Sequence, residues 1–479
     1  MQNKKFIFIT AFLFSVFLMS CQTESLEEAE VTNQSIEKIN EDGFLNIPYS
    51  DSTTLSKFDD DKEIINYKLA RNIAMLEADG TGLLKKMQWE GHVLSKQPVV
   101  IYGFDSKPKY YEFFYKDAES KEVGSVTVFA RKKAPTVLQE VRGTVRNYDE
   151  LYAKSDAGMK LIADWTGNMY MGIVGKSGDA PATVIDPETG ESVEGMKELS
   201  DEEILDEVVN VLKNQAQDFN FSTDTISNLQ LRDSITQETT SIQQQADSLK
   251  VTMQNEHDQR DAYWEVMEQY TDSFAVLTDD EITNISSKSW FSRTWRKFKN
   301  IFNDKTTSEY ELAEYKDNYT NEGEYNPVKG YSEWCGPWAM DWIYHVKKGG
   351  SKYNHFESWA STMGLVGWTA RLAGSKPMFP VEMCVSMRKA TSSIWVNPYY
   401  STGRWNALDH IRYKKNPIVI LTTSGKSMHW KVAYGCYRTG SVFWRNYYFA
   451  CQDNGALNIP KNNHYHRSSW FMVFVKVYD

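Results

Sequence analysis

Trp334-Cys335-Gly336-Pro337-Trp338-Ala339 and Met428-His429-Trp430-Lys431-Val432-Ala433-Tyr434-Gly435 are the two stretches that decide the reading of this chain. The first is expected to open a helix. A thiol in the first turn of a helix meets free backbone N–H groups and the positive end of the macrodipole, and both favour an anion. That environment lowers a cysteine pKa toward the thiolate, the reactive nucleophile. The second stretch reads as a strand that carries a histidine at its start. Asp453 follows a further strand-like run. Cysteine, histidine and carboxylate in this order fit a nucleophile, a base and the group that orients the base.

Two runs rich in aromatic and β-branched residues, 429–437 and 442–451, flank Arg438-Thr439-Gly440-Ser441, a turn signal. A hairpin centred on Gly440 places His429 opposite Cys451. Asp453 then lies on the same face, within diagonal reach of the imidazole. A register shift of one residue brings Asn454 there instead, so Asn454 is the alternative third member.

With the motifs stated, the segment resembles the papain-like cysteine peptidase superfamily, in particular the bacterial branch related to bacteriocin leader peptidases. That branch carries Cys-Gly-Pro-x-Ala at its nucleophile helix and His-x-x-Val-x-x-Gly at its base strand. Leu408-Asp409-His410-Ile411, followed by Asn416-Pro417-Ile418-Val419-Ile420-Leu421, is similar to its helix, tight turn and buried strand. The resemblance covers roughly residues 320 to 479 and implies a nucleophile helix packed on an antiparallel sheet. It further implies a Cys335–His429–Asp453 triad working without metal or organic cofactor. One position departs from the pattern. The glutamine that usually precedes the cysteine and helps hold the oxyanion is replaced by Lys329. The Cys335 N–H remains, with Tyr331 and Ser332 as candidates for the second donor. Losing one oxyanion donor typically costs about 10²–10³ in rate.

The amino terminus reads as an export signal. Lys4 and Lys5 precede an apolar run from Phe6 to Met19, which ends at Ser20-Cys21. The run is short for a membrane span. It resembles a bacterial lipoprotein signal, with Cys21 as the acylated residue and the product anchored in the outer membrane or on the cell surface. The net charge of −11 over 479 residues argues against nucleic acid as a partner, since phosphate binding needs a basic surface. Beyond Cys21 the cysteines are Cys335, Cys384, Cys436 and Cys451, without a CxxC pair or metal-ligand spacing. Cys384, Cys436 and Cys451 sit in apolar stretches and read as inert thiols. A Cys436–Cys451 bridge is out of register.

The overall class is α+β. Residues 1–21 form the signal and 22–50 a polar tether. Residues 51–195 form a small α+β domain, either propeptide-like or a binding domain. In it a helix is expected over 60–78, with Ile64, Leu69, Ile73 and Leu76 on one face. Strands are expected near Val99–Phe104, Lys109–Tyr115, Val123–Ala130, Val137–Val141 and Met169–Val174. Residues 196–300 form a helical segment. It opens with a capping box at Ser200 and Glu203 and continues as a long helix whose apolar seam Glu256 and Arg260 interrupt. Residues 301–479 form the papain-like domain. The sequence therefore points to an envelope-anchored cysteine peptidase of peptide or protein substrates. It would be made as a latent precursor in which residues 50–280 restrain the site until cleavage between about 280 and 325. The alternatives are a related thiol amidase or acyltransferase, and a catalytically silent surface-binding module of the same fold.

Overall fold

The computed structural model describes residues 47–80, 82–134, 136–143, 145–165, 169–187, 190–206, 208–209, 229–269, 308–312, 339, 343, 395–400, 404–423, 428–439, 446–452, 464–467 and 473–478. In chain order the named elements begin with helices α1 (Ser52–Ser56), α2 (Tyr67–Gly80) and α3 (Leu83–Met87). Strands β1 (Val93–Leu94), β2 (Val99–Tyr102), β3 (Pro108–Lys116), β4 (Glu122–Phe129) and β5 (Leu138–Arg142) follow. Then come α4 (Tyr148–Tyr152), β6 (Lys160–Ala163), β7 (Met169–Ile173), β8 (Ala182–Ile185) and the 40-residue α5 (Leu229–Glu268). The C-terminal part carries β9 (Ser308–Glu311), β10 (Trp395–Tyr400), α6 (Arg404–Lys414) and β11 (Ile418–Thr423). It ends with β12 (Met428–Thr439), β13 (Asn446–Gln452), β14 (His464–Arg467) and β15 (Val473–Tyr478).

These strands join one large, mostly antiparallel sheet in the order β10-β15-β11-β12-β13-β14-β5-β4-β3-β2-β6-β7-β8, with β1 on β3 and β9 on β12. The class is α+β, as the sequence predicts, with few helices against a dominant sheet. Among the described pairings, β2 with β6 is parallel and rests on Tyr102 opposite Ile162. The N-terminal and C-terminal halves meet strand to strand: Arg142, Val141 and Glu140 of β5 pair with His464, Tyr465 and His466 of β14. The described residues belong to one compact unit.

The central strands are covered on both faces, so they read as continuous apolar runs rather than as alternating ones. Alternation survives in the destination of each side chain. Tyr111, Phe113 and Tyr115 of β3 enter the main core with the helices, whereas Tyr110 and Phe114 enter a second core under α4. Val100 and Tyr102 of β2 divide from Val99 and Ile101 in the same way. Phe113 and Phe114 are fully buried, each worth about 1.5–3 kcal/mol of transfer free energy.

Five predicted strands appear within one or two residues of their expected bounds. The helix expected over 60–78, observed as α2, does not. It starts at Tyr67, because Asn66 caps it: the Lys68 N–H donates to Asn66 Oδ1 at 3.0 Å and the Ala70 N–H to the Asn66 carbonyl at 2.9 Å. Ile64 instead bridges Arg131 as an isolated strand residue. Leu69, Ile73 and Leu76 are buried as expected. The capping box forms in both directions, with Glu203 N–H to Ser200 Oγ at 3.2 Å and Ser200 N–H to Glu203 Oε2 at 2.9 Å.

Candidate functional site

β12 is the strand on which the sequence reading depends. It has β13 along one side, and β11 followed by β9 along the other. His429 lies near its start, with its Cα opposite Thr422 of β11. Val432 and Ala433 are fully buried. Gly435 marks a register irregularity against β13, where the pairing passes from Ala433–Cys451 to Gly435–Ala450. Here glycine is required by space: a Cβ would approach Glu311 Cγ to 2.7 Å, Ala450 Cβ to 2.9 Å and the Tyr310 carbonyl to 3.2 Å. Thus two members of the His-x-x-Val-x-x-Gly pattern have a packing reason, one as core and one as the point where three strands crowd.

The expected hairpin register is corrected. Ala433, not His429, stands opposite Cys451, and β12 continues to Thr439, which pairs with Asn446. The sequence signal at Arg438-Thr439 is overridden because β9 pairs along this end of β12, with Ser308 opposite Arg438 and Glu309 opposite Tyr437. A strand with partners on both sides extends through residues that otherwise favour a turn.

The helix before β11 also appears: α6 ends at Lys414, Lys415 takes a left-handed φ of 56°, and β11 begins at Ile418. Leu408, Ile411, Ile418 and Val419 are buried in the main core. Ala339 and Ile343 are helical, fully buried and in that same core. Their spacing of four fits one face of a helix. Cys335, Tyr331, Ser332, Asp453, Asn454, Cys384 and the lipidation candidate Cys21 lie outside the described residues, as does the basic-aromatic stretch 290–299.

Two of the remaining thiols are described. Cys436 and Cys451 are both buried, and neither is in a disulfide. Burial, reinforced by the neighbouring Cys451, pushes the Cys436 thiol well above its ordinary range. Cys451 Sγ donates to the Phe449 carbonyl at 3.4 Å. Cys436 faces Phe449 across the ladder, so a bridge to Cys451 is out of register, as expected.

The sequence did not single out Glu311. Its carboxylate accepts from Tyr437 Oη at 2.5 Å and Tyr465 Oη at 3.0 Å, and pairs with Lys86 of α3 at 3.2 Å. Lys86 also lies 4.1 Å from the Tyr437 ring centroid. The group pins β9 onto β12 and ties α3 to both. A lone glutamate in a polar stretch gives no periodic signal, so composition alone would not find it. Among the described residues no group of three or more His, Cys, Asp or Glu side chains is placed to hold a metal ion. No described helix is long and apolar enough to cross a membrane. Comparison with known proteins returned no matching family model, no matching curated protein and no matching solved structure.

Proposed function

We propose that this chain is an envelope-anchored thiol hydrolase of the papain-like kind, cleaving peptide bonds of peptide or protein substrates. In this reading Cys335 attacks the scissile carbonyl, His429 takes and returns the proton, and Asp453 holds the imidazole in the right tautomer. The observation that carries it is the ordered set Cys-Gly-Pro-x-Ala, His-x-x-Val-x-x-Gly and Asp, with the histidine on a central strand of an antiparallel sheet. The helical, buried Ala339 and Ile343, four and eight residues after the cysteine, support a nucleophile helix packed on that sheet. The corrected register also supports Asp453 over Asn454. Cys451 pairs four residues further along β12 than expected, and an even displacement leaves the alternation of faces unchanged.

The test is a thiol-reactive peptide probe applied at pH 5.5, followed by mapping of the modified residue. Cys335 is expected to be the site that reacts rapidly. Cys436 and Cys451 are buried, and burial favours the unreactive thiol. Labelling of Cys451 or Cys384 at the same rate as Cys335 would remove the basis for a catalytic Cys335. The retained triad would then belong to a surface-binding module of the same fold.

A further inference from the structure

Glu77 of α2 is only 4 % exposed, and among the described residues no Lys, Arg or His pairs with it. A carboxylate taken out of water without a counter-cation is costly unless donors surround it. Four groups do so. Oε2 accepts from Thr136 Oγ1 at 2.7 Å, from the Leu138 N–H at 2.7 Å and from the Val137 N–H at 3.1 Å. Oε1 accepts from Tyr263 Oη of α5 at 2.8 Å. Burial outweighs these donors and pushes the carboxyl above its ordinary range.

The donors are of two kinds. The Val137 and Leu138 N–H groups can only donate, whereas the hydroxyls of Thr136 and Tyr263 can turn and accept. Thr136 Oγ1 also lies 3.4 Å from Tyr448 Oη of β13, with either oxygen able to donate. Tyr448 Oη donates to the Leu138 carbonyl at 3.0 Å. Each hydroxyl carries one proton. While Glu77 is ionised, Thr136 directs its proton to the carboxylate, and across this contact only the Tyr448 hydroxyl donates. Once Glu77 takes a proton from solvent, its own O–H donates to Thr136 Oγ1. The Thr136 hydroxyl then turns to Tyr448 Oη, and Tyr448 keeps its bond to Leu138. The 3.4 Å separation suits two oxygens with no proton between them, and shortening it completes the second bond. Thr136 and Leu138 belong to residues 51–195 and Tyr448 to the C-terminal strands, so protonation adds a hydrogen bond across the junction.

We propose that Glu77 is an internal proton-binding site, and that its protonation tightens the junction between residues 51–195 and the C-terminal strands. The titratable groups that face it are Tyr263 from α5 and Tyr448 from β13. Beyond Tyr448 stands Arg467 of β14, held by Glu256 of α5 at 2.8 Å. The turn at 136–138 brings no titratable side chain. A carboxyl raised by folding adds stability that is complete below its unfolded value of about 4.5 and fades as pH rises through the folded value. The junction is therefore firmest in acid and loosens on the alkaline side. Infrared difference spectra of the full chain, taken from about pH 8.5 to about pH 6, test the first claim, because ordinary carboxyls stay ionised in that window. The C=O band of a protonated carboxyl should grow in for wild type and be missing from Glu77→Gln. Glu77→Gln stands in for the neutral form, so it should melt with wild type at about pH 6 and at least about 2 °C above it at about pH 8.5. Glu77→Asp should shift the band, which identifies it should the Gln variant fail to fold. Tyr448→Phe removes the oxygen that receives the Thr136 proton. It should keep the band while the change in melting temperature between the two pH values shrinks. A wild-type spectrum without the band, or a band that Glu77→Asp leaves in place, overturns the proton-binding site. So does an identical pH dependence of melting in wild type and Glu77→Gln. An unchanged melting shift in Tyr448→Phe overturns the tightening of the junction.

Discussion

Glu198 is a residue whose role is set by what surrounds it rather than by its place in a motif. Its carboxylate pairs with Lys109 Nζ at 3.0 Å and Arg131 Nη1 at 3.5 Å, and accepts from the Phe104 N–H at 3.0 Å. Burial pushes its pKa up, but Lys109 and Arg131 outweigh burial and hold it down at about 2. A carboxylate lowered in the folded state adds stability that is present above its unfolded pKa of about 4.5 and disappears as pH falls through the folded value. Glu198→Gln should therefore melt well below wild type at pH 7, with the gap closing between about pH 4.5 and pH 2. Differential scanning calorimetry across that range measures the closure, and a gap that stays constant would rule out the ion pairs as its source. The proposed triad makes a sharper claim. His429→Ala should abolish peptide hydrolysis, while Asp453→Ala should leave a weak residual rate, because the acid only orients the base. Peptide turnover by the two variants and by Asn454→Ala checks this. Loss of activity in Asn454→Ala with full activity in Asp453→Ala would give Asn454 the orienting role.

At the scale of elements, much of the sheet could be read from the chain and some of it could not. Strands β2 to β5 and β7 are legible because runs of Val, Ile, Phe and Tyr are separated by turn residues such as Ser106-Lys107-Pro108. β6 and β8 are not, since four-residue strands bounded by polar sequence carry too little periodicity. The seam of α5 differs from expectation at one position for a physical reason. Glu256 does not interrupt a packed face; it is buried within it and pairs with the equally buried Arg467 of β14 at 2.8 Å. A charge pair between elements 211 residues apart leaves no local trace. The hairpin register failed for the same kind of reason, because β9 comes from a distant part of the chain. The place where β9, β12 and β13 crowd is testable. Gly435→Ala would force a Cβ into contacts below 3.0 Å with Glu311 and Ala450, and should cost about 1–3 kcal/mol through displaced strands. Urea unfolding of the variant measures it. A neutral outcome would show that β9 yields easily.

For the whole molecule, the deciding fact is how the N-terminal α+β region joins the rest. β5 and β14 make one continuous sheet of the two parts. Behind that junction, the buried Glu77 of α2 accepts from Thr136 Oγ1 at 2.7 Å, the Leu138 N–H at 2.7 Å and Tyr263 Oη of α5 at 2.8 Å. Tyr448 of β13 donates to the Leu138 carbonyl at 3.0 Å, and Trp264 Nε1 of α5 to the Ala134 carbonyl at 3.1 Å. Burial raises the Glu77 pKa, and these donors oppose it. Separating residues 50–280 from the rest would leave Glu77 these donors but would break the Tyr448–Leu138 bond and the buried Glu256–Arg467 pair, and breaking one buried ion pair alone costs about 3–5 kcal/mol. A prosegment built to leave after one cut would not be sewn in by a ladder and buried charges. Residues 51–195 are therefore expected to stay with the folded unit after such a cut. Limited proteolysis between residues 280 and 325 is then expected to leave the two pieces co-eluting on size exclusion without denaturant, with peptide turnover little changed. A chain beginning near residue 310 should fail to fold alone, as circular dichroism would report. If the pieces instead separate after cleavage and turnover rises, with added N-terminal piece slowing it again, residues 50–280 are a releasable inhibitor and the strand junction is weaker than its hydrogen bonds imply.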